Sequence, residues 1–263
     1  MFWKLLKEKG IKLDMKGFNL FLFALLVLSF SNQANSATSK TIQTGRPGQS
    51  IGAGVVGKNI FQIQSGVELN KTEIEDQTVE NFIQNNVLRY GVSEKFELST
   101  VFDIANFDNT ELKTGNLQVG GRVSLIVEAK GIIPQLAFQA RAQLVDSEGY
   151  KNSSINFVSI LSAVHDLNNL GSMTSNLVMS KTEDDNLELS GGTLSWGKNY
   201  DEKLSYFVEY YANKSENDWI NYWDTGVGYL VNNDLLIDAS VGFDLEEDME
   251  YQFVSLGFSW RAL

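Results

Sequence analysis

Along most of this chain apolar residues recur at every second position. That is the period of a strand with one apolar and one polar face, and not the three-to-four-residue spacing of a helix. Phe96, Leu98, Thr100, Phe102 and Ile104 alternate with Glu97, Ser99, Val101 and Asp103. Leu117 to Val127 is apolar on its odd positions, with glycine at 121 and Ile126 breaking the rule, and Leu136, Phe138, Ala140, Ala142 and Leu144 oppose Gln135, Gln139, Arg141 and Gln143. Leu204 to Tyr210, Leu235 to Phe243 and Val254 to Trp260 repeat the pattern, the last almost to the C-terminus. The alternation weakens in 155–164, apolar on both faces, and in 171–180 and 187–197, so strand boundaries between 155 and 197 are the least defined. With segments near 58–70, 79–91 and 219–230, twelve strands are expected.

The connections sort into two sets. Short ones (93–95, 130–133, 166–169, 199–203, 232–234) alternate with longer, more acidic ones (71–78, 106–114, 146–153, 181–186, 213–218, 244–250). Short periplasmic turns and longer outer loops are the habit of an outer-membrane barrel. A soluble sandwich or lipocalin-like barrel would bury the apolar face, whereas a membrane barrel turns it to lipid. Three features favour the membrane: strand length, charges and glutamines on the polar face, and aromatics gathered at strand ends. Tyr90, Phe96, Tyr229, Phe258 and Trp260 are expected at the periplasmic rim and Phe82, Phe102, Trp219 and Phe243 nearer the outer one. The two prolines, Pro47 and Pro134, lie outside the predicted central strands, so neither interrupts a ladder. The expected fold is all-β: a transmembrane antiparallel up-and-down β-barrel of about 12 strands over 58–263.

The first segment changes the compartment. Phe18 to Phe30 is an apolar run of about thirteen residues, too short to span a bilayer as a helix. Lysines precede it, and Ala34 and Ser36 behind it make a small-residue cleavage site, so residues 1–37 read as a secretory signal peptide. Met15-Lys16-Gly17 would open one of ordinary proportions, which makes Met15 the candidate true start. The whole chain carries a net charge of −12, and residues 1–36 hold five lysines against Glu8 and Asp14, leaving about −15 after cleavage. Such acidity argues against nucleic acid as a partner. The absence of cysteine excludes disulfides, a lipid-modified cysteine and thiolate chemistry.

Residues 38–57, rich in glycine and small side chains, precede the first strand and lack its alternation. They read either as a periplasmic tail or as a plug folded into the lumen, with Arg46 offering its guanidinium to inward carboxylates. On strand parity Arg89, Arg122, Arg141 and Arg261 point inward, together with Glu68, Glu97, Asp103, Glu209, Asp224 and Asp238. These charges either form a constriction that selects solutes or pair across a narrow interior. The lone histidine, His165, sits beside Asp166 in a predicted turn, a poor frame for a catalytic base or a transition-metal site. Glu183, Asp184 and Asp185 lie in a loop and not in a cleft, so glycosidase chemistry has no frame either. No catalytic residue, metal or cofactor is expected. The outer loops all carry acids, which either hold Ca²⁺ or Mg²⁺ shared with lipopolysaccharide phosphates or form solvated faces.

Several motifs are familiar. Thr44-Gly45-Arg46-Pro47-Gly48-Gln49-Ser50, Phe61-Gln62-Ile63-Gln64-Ser65-Gly66, Leu88-Arg89-Tyr90-Gly91-Val92-Ser93 and the closing Val254 to Arg261 resemble the outer-membrane family named for a transporter, or MetA-pathway, of phenol degradation. The chain departs from that family in carrying Gly45 and Gly48 where acidic residues would flank Arg-Pro. The resemblance implies uptake of aromatic compounds. The leading expectation is thus an outer-membrane channel or transporter for small, hydrophobic or aromatic molecules, its partners being membrane lipid and lipopolysaccharide, the barrel assembly machinery and the solute. The alternative is a non-conducting structural or adhesion barrel that contacts lipopolysaccharide or a partner through its acidic outer loops.

Overall fold

A strand in hydrocarbon finds no water for its N–H and C=O groups, so amphipathic strands cross a membrane only if the sheet closes on itself. The computed structural model of this chain, which describes residues 39–74, 77–107, 112–145, 151–181, 187–215, 218–246 and 249–262, is such a closed sheet. Its strands are β1 (Phe61–Ile74), β2 (Gln77–Gly91), β3 (Phe96–Phe107), β4 (Lys113–Ile126), β5 (Gln135–Val145), β6 (Lys151–Asp166), β7 (Ser172–Lys181), β8 (Leu187–Asn199), β9 (Leu204–Ser215), β10 (Asp218–Asn232), β11 (Leu235–Asp244) and β12 (Met249–Ala262). Each pairs antiparallel with its sequence neighbours. β1 pairs with β12 from Phe61 opposite Ala262 to Ile74 opposite Met249, so no edge remains. The predicted signal peptide, 1–37, lies outside the described residues.

Burial runs inside out. Among the least exposed residues are Gln62, Glu209 and Ser259 at 0% and Glu97 at 1%, whereas Leu256 is 63% exposed, Leu69 55% and Val241 51%. A soluble barrel would show the reverse. The apolar positions of the alternation therefore form the outer face, where lipid covers them, and the polar positions form the interior. This is a twelve-strand, all-antiparallel transmembrane barrel.

Strand limits depart from the sequence reading in instructive ways. β1 begins at Phe61 and not at 58, because Gly57 and Asn59 take positive φ angles of 95° and 63° and turn the chain before pairing starts. At the far rim the strands run longer than expected. Glu73, Asp218 and Glu250 lie within β1, β10 and β12, so the predicted contrast between short turns and long loops largely disappears there. The acidic loop residues Glu75, Asp76, Asp108, Glu111, Asp146, Glu148, Glu183, Asp184, Asp185, Glu216, Glu247 and Asp248 fall outside the described residues. His165 and Asp166 close β6 and do not form the turn, which begins at Leu167. Two of the breaks in alternation have a cause in the backbone. The β4–β5 register shifts between Ser124 and Ile126, and the β7–β8 register shifts at Val178 and Met179, where a bulge flips side-chain parity.

Candidate functional site

An interior lined by polar side chains can hold a polar chain segment, and here it holds residues 39–57. Arg261 donates to the carbonyls of Ser39 and Lys40 at 2.9 and 2.8 Å, and Gln62 Nε2 and Arg89 both donate to the carbonyl of Gln43. The Thr44 hydroxyl lies 2.6 Å from that of Ser259. Arg46 reaches Asp238 at 2.9 Å and the Ser255 hydroxyl at 3.0 Å. Its guanidinium lies directly over Gly66 and Gly257, register partners on β1 and β12; a Cβ on either would collide with it. Further along, the N–H groups of Gln49 and Ser50 donate to Glu209, Asn176 brackets Ile51 through both its N–H and its carbonyl, and Val56 N–H donates to Glu97. Gly48 makes the close approach to the wall, where a Cβ would press on the Phe207 ring and the Glu209 carboxylate.

The inward charges fall into distinct groups. Glu97 accepts two bonds from Arg89 at 2.8 Å each, and the Arg122 Nε lies 3.7 Å from it; Arg122 also donates to Gln139 and to the carbonyls of Gly52 and Gly54. Arg261 pairs with Asp234 at 2.6 Å. Glu209 and Asp224 are register partners on β9 and β10 and bring two buried carboxylates side by side. Neither Asp224 oxygen meets a donor among the described residues. Asp103 is held by two neutral groups, Asn85 at 2.7 Å and Asn116 at 2.8 Å, and Glu68 by Asn70 and the Tyr251 hydroxyl. Among the described residues Arg141 has only the Ser99 hydroxyl, at 3.4 Å from its Nε.

Two cavities flank the inserted segment. One, of about 680 Å³, opens among Asp166, Asn168, Asn199 and Ser205 on the side of the short turns. The other, of about 550 Å³, lies beyond, between Arg141 and Asp103 on one wall and Tyr211, Tyr222 and Tyr251 on another. Gly45, Arg46, Pro47 and Gly48 line both, so this stretch is the partition between them. The aromatic wall is a continuous ladder: Tyr211 stacks on Tyr222 at 4.7 Å, Tyr222 meets Tyr251 edge-on at 5.7 Å, and Tyr251 leans on Phe253 at 6.1 Å. Sequence reasoning missed this wall, although parity carried the signal. Val208, Tyr210 and Val254 face outward, which places their neighbours Tyr211 and Phe253 inside.

The sequence match agrees with the architecture. Residues 44–262 match the family described as putative MetA-pathway of phenol degradation. The chain belongs to that family. The match starts at Thr44, so it includes the Arg46 partition as well as the barrel. No curated protein matches this member of the family. Among solved structures it is similar to an outer-membrane channel from Pseudomonas putida F1, at 10% identity and TM-score 0.59, covering 83% of this chain and 100% of that one. It is also similar to the NanC porin, at 7% identity and TM-score 0.51, over 74% and 98% of the two chains. The KdgM porin, solved with disordered oligogalacturonate, gives 8% identity and TM-score 0.50 over 74% and 98%. At these identities the likeness is one of fold, and the fold is that of outer-membrane channels and porins.

Proposed function

We propose that this chain is an outer-membrane channel for small hydrophobic or aromatic molecules, with residues 38–57 as a lumen plug. The observation that carries this reading is the pair of cavities in a polar interior, divided by a hydrogen-bonded segment and not by packed side chains. The dividing stretch 44–48 is tied to the wall mainly by Thr44 and Arg46, so it can move aside while residues 39–43 and 49–57 stay anchored, whereas a packed core cannot. Arg46 is the principal tether: its ion pair with Asp238 is screened from water, and its bond to Ser255 fixes it to a second strand. The charges around Glu97 serve structure by pairing, and Arg46 with Asp238 serves gating. The family's name, with its reference to phenol degradation, supports aromatic compounds as cargo. Residues 1–37 act as the export signal, with translation from Met15, and the barrel assembly machinery inserts the product. The acids of the far rim, Glu73, Asp218, Glu246 and Glu250 among them, face lipopolysaccharide.

Planar-bilayer recording tests the channel. The wild-type protein should give small single-channel steps, and Arg46→Ala, which frees the partition, should give larger and noisier ones. Silence from both, in protein whose heat-modifiable gel mobility shows it folded, would sink the channel and leave a structural or adhesion barrel.

A further inference from the structure

The second cavity is asymmetric in a way that pairing alone does not explain. Arg89 and Arg122 have a partner at every guanidinium nitrogen, among Glu97, Gln139 and backbone carbonyls of the inserted segment. Arg141 lines the same cavity with no carboxylate within ion-pair distance among the described residues. Its Nε–H has a single long contact to Ser99, and its two terminal amino groups have no protein acceptor there. A guanidinium presents five N–H donors in a fork that matches a carboxylate, so this one is a vacant half of a two-point contact. The carboxylates that share the cavity are otherwise engaged. Asp103 stands four residues beyond Ser99 on β3, roughly 13 Å along the strand, and is held by Asn85 and Asn116, while Glu68 is held by Asn70 and Tyr251. The wall formed by β9, β10 and β12 carries the Tyr211–Tyr222–Tyr251–Phe253 ladder, a face suited to offset or edge-on contact with another ring.

We propose that this cavity is a recognition site for monocyclic aromatic acids, with the carboxylate on Arg141 and the ring against the aromatic ladder. This names the substrate class of the channel reading and rests on it for the route, not for the binding. A volume of about 550 Å³ admits one such ring with water around it and lies within the usual range for small-molecule pockets. A neutral phenol or alcohol would use the ladder and leave the guanidinium unanswered. A small aliphatic acid would do the converse.

Calorimetric titration of the purified, folded barrel with benzoate, benzyl alcohol and acetate separates these contributions. Benzoate should bind roughly ten- to hundredfold more tightly than either of the others, the span expected of a charge-assisted contact. Arg141→Gln should erase the preference for benzoate over benzyl alcohol, and Arg141→Lys should keep part of it. Tyr222→Leu should weaken benzoate and benzyl alcohol alike and leave acetate unchanged. Equal binding of benzoate and benzyl alcohol by the wild type, no benzoate binding, or a preference that survives Arg141→Gln would overturn the proposal. Gel mobility checks that each variant is folded, and if Arg141→Gln does not fold, Arg141→Lys carries the comparison. Proteoliposome uptake of labelled benzoate and benzyl alcohol distinguishes the two readings. Passage of both without selective binding fails the site alone, and selective binding without passage of either fails the channel alone.

Discussion

Glu97→Gln is the sharpest probe of how the interior is held together. Glu97 is 1% exposed and Arg89 3%, so the two form a bidentate pair shut away from water, with Arg122 the next cation and the Val56 N–H as a fourth contact. The glutamine keeps the shape but removes the anion and sets an amide N–H₂ against guanidinium donors. Removing one partner of a buried pair costs about 3–5 kcal/mol. Here the cations keep part of their support, because Gln43, Gly52 and Gly54 offer carbonyls and Gln139 its side-chain oxygen. The expected loss is therefore at the low end, about 3 kcal/mol, or roughly a hundredfold in the unfolding equilibrium. Urea titration in lipid vesicles, followed by tryptophan fluorescence with linear extrapolation, measures it. Glu97→Gln with Arg89→Gln should recover part of the loss, since the double variant no longer buries that cation unpaired. A wild-type midpoint for the single variant would refute the reasoning, as would a double variant less stable than the sum of the two singles.

Two further expectations follow from the faces and the turns. Leu256→Arg, at an outward position between Val67 and Ala239, should lower folding stability in vesicles by about 2–4 kcal/mol; no measurable cost would mean that this face does not meet lipid. In the turn before β9, the N–H groups of Leu204 and Lys203, each 2.7 Å from Asp201 Oδ1, hold the Asp201 carboxyl below the usual carboxylate range. A depressed value contributes stability that is complete above the ordinary carboxylate pKa of about 3.9 and is lost as pH falls through the depressed one. Hydrogen exchange at the Leu204 amide, corrected for intrinsic rates, should thus stay constant from neutral pH to about 5 and lose protection only in stronger acid. Asp201→Asn should flatten that acid-side change.

The barrel was legible because membrane burial writes itself into parity. Once Phe96, Leu98 and Ile104 were assigned outward, Glu97 and Asp103 had to point inward, and the same step on β4, β5 and β11 placed Arg122, Arg141 and Asp238. At residue 126 parity and backbone break together, at a bulge against β5, whereas the inward Ala137 and Ile160 are apolar on regular ladders. Rim geometry was less legible. Acidic residues such as Glu73 and Glu250 resemble loop residues by composition, yet they are compatible with a strand that has left the apolar band, since a ladder can continue in water on hydrogen bonds alone.

What parity cannot supply is the partner across the lumen. Arg89, Arg122 and Arg141 look equivalent in the sequence, each an inward arginine among polar neighbours. Closure separates them. Glu97 sits in register with Arg122 and beside Arg89, but Arg141 lies one strand further round, opposite Gly120. The inserted segment completes the difference, because Gly52 and Gly54 bring their carbonyls to the first two and not to the third. The vacancy at Arg141 thus follows from three long-range facts: the β3–β4 register, the path of residues 52–54, and the far wall built from β9, β10 and β12. None of these is a local property of the chain, and a one-residue slip in β5 would turn Arg141 to lipid.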